Sequence, residues 1–219
     1  MIDFEETFEE LKGHIALSCG GKMDARSLIF VAENAAKGDA PAISCDLDSV
    51  NMLWTWLENS NIKIFTHIIA KEFDNDAKKI AAAIHSAFKK GANGVQLIAS
   101  PDVHEKLAVA FSTIAADLFF GRKLILTMDL KEVFPSDHPV IFESVKLTSA
   151  SGLGFVIENE EDITASFYGI LDSIDSDFHG SLHIISKDSD FQKIENIWRL
   201  IKKMRPELIL GTIFFIEQQ

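Results

Sequence analysis

Charged side chains stand at the ends of several short apolar runs in this chain. Asp46 follows Ala42-Ile43-Ser44-Cys45, Lys71 follows Ile68-Ile69-Ala70, and Asp129 follows Leu126-Thr127-Met128. Glu158 follows Phe155-Val156-Ile157, and Lys187 follows Ile184-Ile185-Ser186. Two ammonium groups among three carboxylates could hold or polarise an anionic substrate, because each charge shifts the pKa of its neighbours and a lysine so placed can move a proton. The plainer account is that strand ends are exposed and charged loops follow them anyway.

Other residues offer weaker chemistry. Cys19, before Gly20-Gly21-Lys22, has the makings of a thiolate nucleophile beside a phosphate-cradling turn, or of a small buried hydrophobe before an ordinary turn. Lys71 and Lys187 could form Schiff bases, but a lysine at a loop edge is less desolvated than that chemistry prefers. His67 and His183 read as hydrogen-bonded interior histidines, since neither His-x-His nor His-Glu-x-x-His spacing accompanies them. No metal site and no cofactor is expected. His85, His104, His138 and His179 form no motif.

Alternating short β-rich runs and longer amphipathic stretches must position these groups. Strands are expected at His14–Cys19, Pro41–Leu47, Lys63–Ala70, Gly94–Ser100, Lys123–Leu130, Leu153–Glu158, Ser181–Ser186 and Leu208–Phe215. Their starts are separated by 22 to 31 residues, about one strand-plus-helix unit each time. Eight such units predict an α/β protein with a closed (β/α)8 TIM barrel, as a single domain over residues 1–219. Helical spacing of Ala77, Ile80, Ala81, Ile84 and Phe88, and of Ile194, Ile197, Trp198 and Ile201, supplies faces that pack on the barrel. Asp24, Asp48, Asp102 and Asp188 stand where helix N-caps are expected.

In a barrel of this kind the chemistry sits at the C-terminal ends of the strands. With the more polar parity facing inward, the strands present Ala16 and Ser18; Ala42, Ser44 and Asp46; Phe65, His67, Ile69 and Lys71; and Gln96, Ile98 and Ser100. The later ones present Ile125, Thr127 and Asp129; Val156 and Glu158; and His183, Ile185 and Lys187. Only Ile216-Glu-Gln-Gln219 follows the eighth expected strand, so no C-terminal eighth helix is foreseen, whereas Ile2, Phe4, Phe8 and Leu11 suggest an extra N-terminal helix. That helix would cover the gap or close the barrel bottom. Alternatively, an uncovered outer face of the last strand, carrying Ile213 and Phe215, would serve as a homodimer interface.

Composition narrows the function. With 21 basic against 33 acidic residues and a net charge of -12, a general nucleic-acid surface is disfavoured, and so is an anionic membrane. No apolar run reaches the ~20 residues of a membrane span. Two cysteines are too few for a disulfide framework and fit a reducing compartment, so a cytoplasmic location is expected.

Ile69-Ala70-Lys71-Glu72-Phe73-Asp74, followed by a helix and by Lys90-Gly-Ala-Asn-Gly-Val-Gln-Leu97, resembles the orotidine 5'-phosphate decarboxylase family of ribulose-phosphate-binding barrels. In that family an Asp-x-Lys-x-x-Asp motif ends the third strand and a Gly-Ala-Asp run opens the fourth. The resemblance covers most of the chain and implies that Lys71 is a proton donor and Asp74 the second aspartate. The departures are Ile69 for the first aspartate, Ser18 for an aspartate in the first strand, and Thr212 for a phosphate-gripping arginine. The expected phosphate loop reads Ser186-Lys187-Asp188-Ser189-Asp190. Loss of one carboxylate and the phosphate clamp removes both binding and transition-state stabilisation, so the barrel is implied and orotidylate decarboxylation is not.

Two functions remain open from the sequence. One is a lyase or isomerase acting on a small anionic metabolite, phosphorylated or not, with Lys71 as acid/base and Asp46, Asp74 and Asp129 as orienting carboxylates. Ser18, Lys22, Ser100, Glu158, Lys187 and Thr212 would bind the substrate, with Lys22 or Lys187 as anion holder. The other is a catalytically silent barrel serving as a binding or assembly partner.

Overall fold

A computed structural model describes residues 9–19, 21–111, 122–158, 166–175, 178–187 and 190–218. Eight parallel strands close into a barrel in sequence order: β1 (Ile15–Cys19), β2 (Ala42–Cys45), β3 (Lys63–Ile69), β4 (Gly94–Ile98), β5 (Lys123–Asp129), β6 (Gly152–Ile157), β7 (Ser181–Ser186) and β8 (Thr212–Gln218). Between them run α1 (Ala25–Lys37), α2 (Val50–Leu57), α3 (Ala77–Lys89), α4 (Pro101–Phe111), α5 (His138–Thr148), α6 (Tyr168–Ser173) and α7 (Phe191–Met204). The (β/α)8 TIM barrel expected from strand spacing is the fold. Among the described residues no helix is long and apolar enough to cross a membrane.

Several helices begin where a side chain can take up their free N–H groups. Asp24 accepts from Ser27 N at 2.8 Å, as expected, and Asp190 accepts from Gln192 N at 3.0 Å. Asp188 lies outside the described residues. Ahead of α2 the N-cap position is Ser49 rather than Asp48, and Asp46 holds the turn that leads into it, accepting from the backbone N–H groups of Asp48 and Ser49, and from the Ser49 hydroxyl at 2.9 Å. Asp102 lies inside the first turn of α4 and accepts from the Ser100 hydroxyl at 2.6 Å.

Side-chain parity separates two cores. Outward residues such as Ile43, Leu97, Leu126, Phe155, Ile184 and Phe214 pack under the helices. Ala16, Ala42, Phe65, Ile125 and Phe215 fill the barrel interior, with Ile185 and Ile213 against them. A polar chain crosses this interior, in which the Ser44 hydroxyl donates to Gln96 Oε1 at 2.7 Å and Gln96 Nε2 meets His183 Nδ1 at 3.1 Å. Phe65 and Phe215 flank the His183 ring at centroid distances of 4.9 and 5.1 Å. Gly154 leaves room for this packing, because a Cβ there would lie 2.4 Å from Thr127 Oγ1.

The eighth strand departs most from expectation. Pro206 starts a 3-10 helix that runs to Gly211, so the apolar run Leu208-Ile209-Leu210 is not strand, and Leu210 is 93% exposed. β8 begins at Thr212 and continues through Ile216 and Glu217. Ile213 and Phe215 point into the barrel, so they are not an outer dimer face.

The first strand begins one residue later than expected. His14 ends a 3-10 turn, its Nδ1 lies 2.8 Å from the carbonyl of Thr212, and its ring packs on Trp198. Of the expected N-terminal helix, Ile2, Phe4 and Phe8 lie outside the described residues. Residues 9–11 are helical and Leu11 is fully buried. Glu10 accepts from Trp198 Nε1 at 3.3 Å and from Lys202, which fastens this end of the chain to α7.

Candidate functional site

Two cavities open at the C-terminal ends of β1 to β5 and share Ile69. The larger, about 610 Å³, is lined by Ile69, Lys71, Asn75, Ile98, Ala99, Ser100, Val103, Asp129 and Glu132. The second, about 530 Å³, is lined by Gly21, Lys22, Asp46, Leu47, Asp48, His67, Ile68, Ile69, Glu72 and Phe73. A third cavity, about 440 Å³, lies at the opposite end of the barrel beside Ser151 and Gly180, and no candidate site residue lines it.

Lys71 reaches the larger cavity from a 3-10 turn, Ala70–Phe73, that continues β3. Asp129 closes β5, and its carboxylate accepts from Lys131 N at 3.2 Å. Ser100 belongs to the loop after β4, where its carbonyl accepts from His104 N and starts α4. Lys71 is exposed, with neither a hydrogen bond nor an ion pair from its side chain among the described residues.

The remaining mouth lysines are committed. Lys131 pairs with Asp129 at 2.9 Å and with Glu158 at 3.0 Å, and Lys187 pairs with the other oxygen of Glu158. This ladder spans the ends of β5, β6 and β7. Its two ammonium groups, Lys187 first, hold the Glu158 carboxyl down to about 2, and the two carboxylates raise Lys131. Lys22 lies 3.7 Å from Asp48 in an exposed pair.

Three expected positions are placed differently. Asp74, in left-handed conformation at the end of the 3-10 turn, turns its carboxylate to Lys79 at 2.6 Å and lines neither cavity. Asp46 lines the second cavity but spends its oxygens on the start of α2. Thr212 begins β8 and so lies at the barrel's N-terminal end, where its hydroxyl donates to the carbonyl of Leu208 at 2.9 Å. It is not a mouth residue, because the strand starts at Thr212 itself rather than at Leu208. Ser18 is buried inside the barrel beside Ser44 and Glu217.

Sequence reasoning missed Lys131 and Glu217. Lys131 is one further inward step beyond Asp129 and was within reach of the same alternation. Glu217 was hidden by the misplaced eighth strand. The interior histidines differ: His183 is tied to Gln96, whereas His67 has no hydrogen bond among the described residues and lines the second cavity with Asp46 and Glu72, within reach of the charge of Glu217. Burial keeps His67 below its ordinary pKa despite those three carboxylates. Cys19 is fully buried on the helix side, with its thiol pushed up to about 12 by burial, so it is protonated at neutral pH and is no nucleophile. Among the described residues no group of three or more His, Cys, Asp or Glu side chains is gathered as a metal site needs.

No family model and no curated protein matches this chain. Solved structures do. A protein of Toxoplasma gondii ME49 assigned as a deoxyribose-phosphate aldolase superimposes with a TM-score of 0.77 at 12% identity, over 97% of this chain and 90% of that one. The tetrameric deoxyribose phosphate aldolase from Aeropyrum pernix gives 0.64 at 7% identity, over 99% and 94%. The dihydrodipicolinate synthase from Acinetobacter baumannii gives 0.57 at 14% identity, over 93% and 69%. The shared feature is the barrel. At such identities the likeness carries the fold and leaves the chemistry to the residues at the mouth.

Proposed function

We propose that this barrel is a lyase or isomerase acting on a small phosphorylated metabolite in the cavity between the ends of β3 and β5. Lys71 supplies the proton to the carbanion or enolate that forms there, and Asp129 orients the substrate. One observation carries the reading: of the mouth lysines Lys22, Lys71, Lys131 and Lys187, only Lys71 lacks a carboxylate partner among the described residues, and it lines a cavity with Asp129 and Ser100. An unpaired ammonium at the wall of a cavity is free to hand a proton to what binds there.

The aldolase names among the structural neighbours support a carbon–carbon lyase on a phosphorylated substrate. An imine mechanism is not part of the proposal. It needs a desolvated amine, and Lys71 is exposed. The described inward positions between the two ends of the barrel hold Ala, Ser, Phe, His, Gln, Ile, Thr, Gly and Val, without a lysine. Decarboxylation of the orotidylate type is likewise left out. Crowding a leaving carboxylate takes two acidic groups, whereas Ile69 replaces one and Asp74 is turned to Lys79.

The test is a thermal-shift screen against phosphorylated sugars, aldehydes and nucleotides, followed by turnover of any ligand found and by borohydride treatment. A stabilising ligand that is converted by the wild type and not by Lys71→Met, without borohydride inactivation, is the expected result. If no phosphorylated compound shifts the melting temperature, or if Lys71→Met retains turnover, the catalytic reading fails and a silent barrel takes its place.

A further inference from the structure

Three lysines converge on one residue at the barrel rim. Lys131 and Lys187 hold the two carboxylate oxygens of Glu158, and Lys193, 2% exposed on α7, donates to the Glu158 backbone carbonyl at 2.9 Å. The main chain at this point is clamped from inside, and the side chain, 29% exposed, lies at the solvent edge. Rotation about the Glu158 side-chain bonds alone would vacate the space between Lys131 and Lys187 while leaving the strand end in place.

The geometry points to Glu158 as an internal anion that seats between Lys131 and Lys187 and is displaced by the phosphate of the substrate. The inference rests on the proposed function for its substrate and adds where the phosphate sits. A phosphate carries about -1.5 to -2 charge and three strong acceptor oxygens, so it satisfies two ammonium groups at once, where a carboxylate offers one charge. Asp129, 2.9 Å from Lys131, keeps that lysine at the rim during the exchange. The arrangement makes the site selective for dianions, because a monoanion gains too little over the glutamate it must replace. It also keeps an acidic protein from leaving two unpaired lysines at an open mouth.

Inorganic phosphate is the probe, with binding to the full chain followed by calorimetry and ³¹P line broadening, and melting temperature recorded for every variant. Glu158→Gln removes the competing charge and is expected to tighten phosphate binding about tenfold, the order of two exposed ion pairs that no longer have to be broken. Glu158→Asp, one methylene shorter, should tighten it less. Glu158→Gln combined with Lys187→Met should lose the gain. Unchanged or weaker binding in a folded Glu158→Gln protein overturns the inference, and so does absence of binding to both forms. Because phosphate binding is measured without turnover, failure of the Lys71 chemistry leaves this result standing, and the reverse also holds.

Discussion

Across the middle of the barrel, Gln96 on β4 and His183 on β7 are joined at 3.1 Å, and their roles are fixed by a third residue. Gln96 Oε1 accepts from the Ser44 hydroxyl, so its amide nitrogen donates to His183 Nδ1, and the histidine proton lies on Nε2. The chain plugs the barrel below the rim and confines any substrate to the mouth.

Replacing Gln96 with leucine should therefore destabilise the fold by about 1–3 kcal/mol, since it strands the Ser44 hydroxyl and His183 Nδ1 in a buried site. Urea unfolding of the variant measures this. A loss below about 0.5 kcal/mol, the scatter of surface substitutions, would show that the chain does not hold the barrel together.

Acid should weaken the protein before its carboxylates titrate. Burial lowers His183 to about 3 and His104 to about 4, from 6.5 in an unfolded chain. The native pKa values are the lower ones, so the unfolded state binds more protons below pH 6.5. Stability is then complete above that pH and is lost as pH falls toward 4, by up to about 1.4 kcal/mol per pH unit for each histidine. Urea midpoints at pH 7.5 and pH 5.0 should differ accordingly. Equal midpoints would mean that neither ring is kept neutral.

Asp46 and Asp74 should respond differently to truncation. Asp46→Ala removes the acceptor of the turn that leads into α2 and should cost about 1 kcal/mol, as loss of an intramolecular hydrogen bond does. Asp74→Gly suits the left-handed backbone at this position, removes only an exposed partner of Lys79 and should leave the unfolding midpoint close to where it is. A stable Asp46→Ala protein with impaired ligand binding would return Asp46 to the substrate.

The fold was legible in the sequence because β-rich runs recur at one strand-plus-helix interval, and strand alternation then sorted inward from outward residues with local information alone. Alternation by itself therefore puts Ser44, Gln96, Asp129 and His183 on the inner face. Tertiary structure decided what alternation cannot reach. Leu208-Ile209-Leu210 has a strand's composition, but Pro206 fixes a 3-10 turn and the strand pairs with β1 and β7 only from Thr212 onward, which puts Thr212 at the N-terminal end and brings Glu217 to the mouth. Charge partners were equally out of reach. Asp74 pairs with Lys79 along its own segment, whereas Glu158 meets Lys131 and Lys187 from neighbouring strands. Which lysine stays unpaired depends on distances of a few ångströms between segments far apart in the chain, and only the closed barrel sets them.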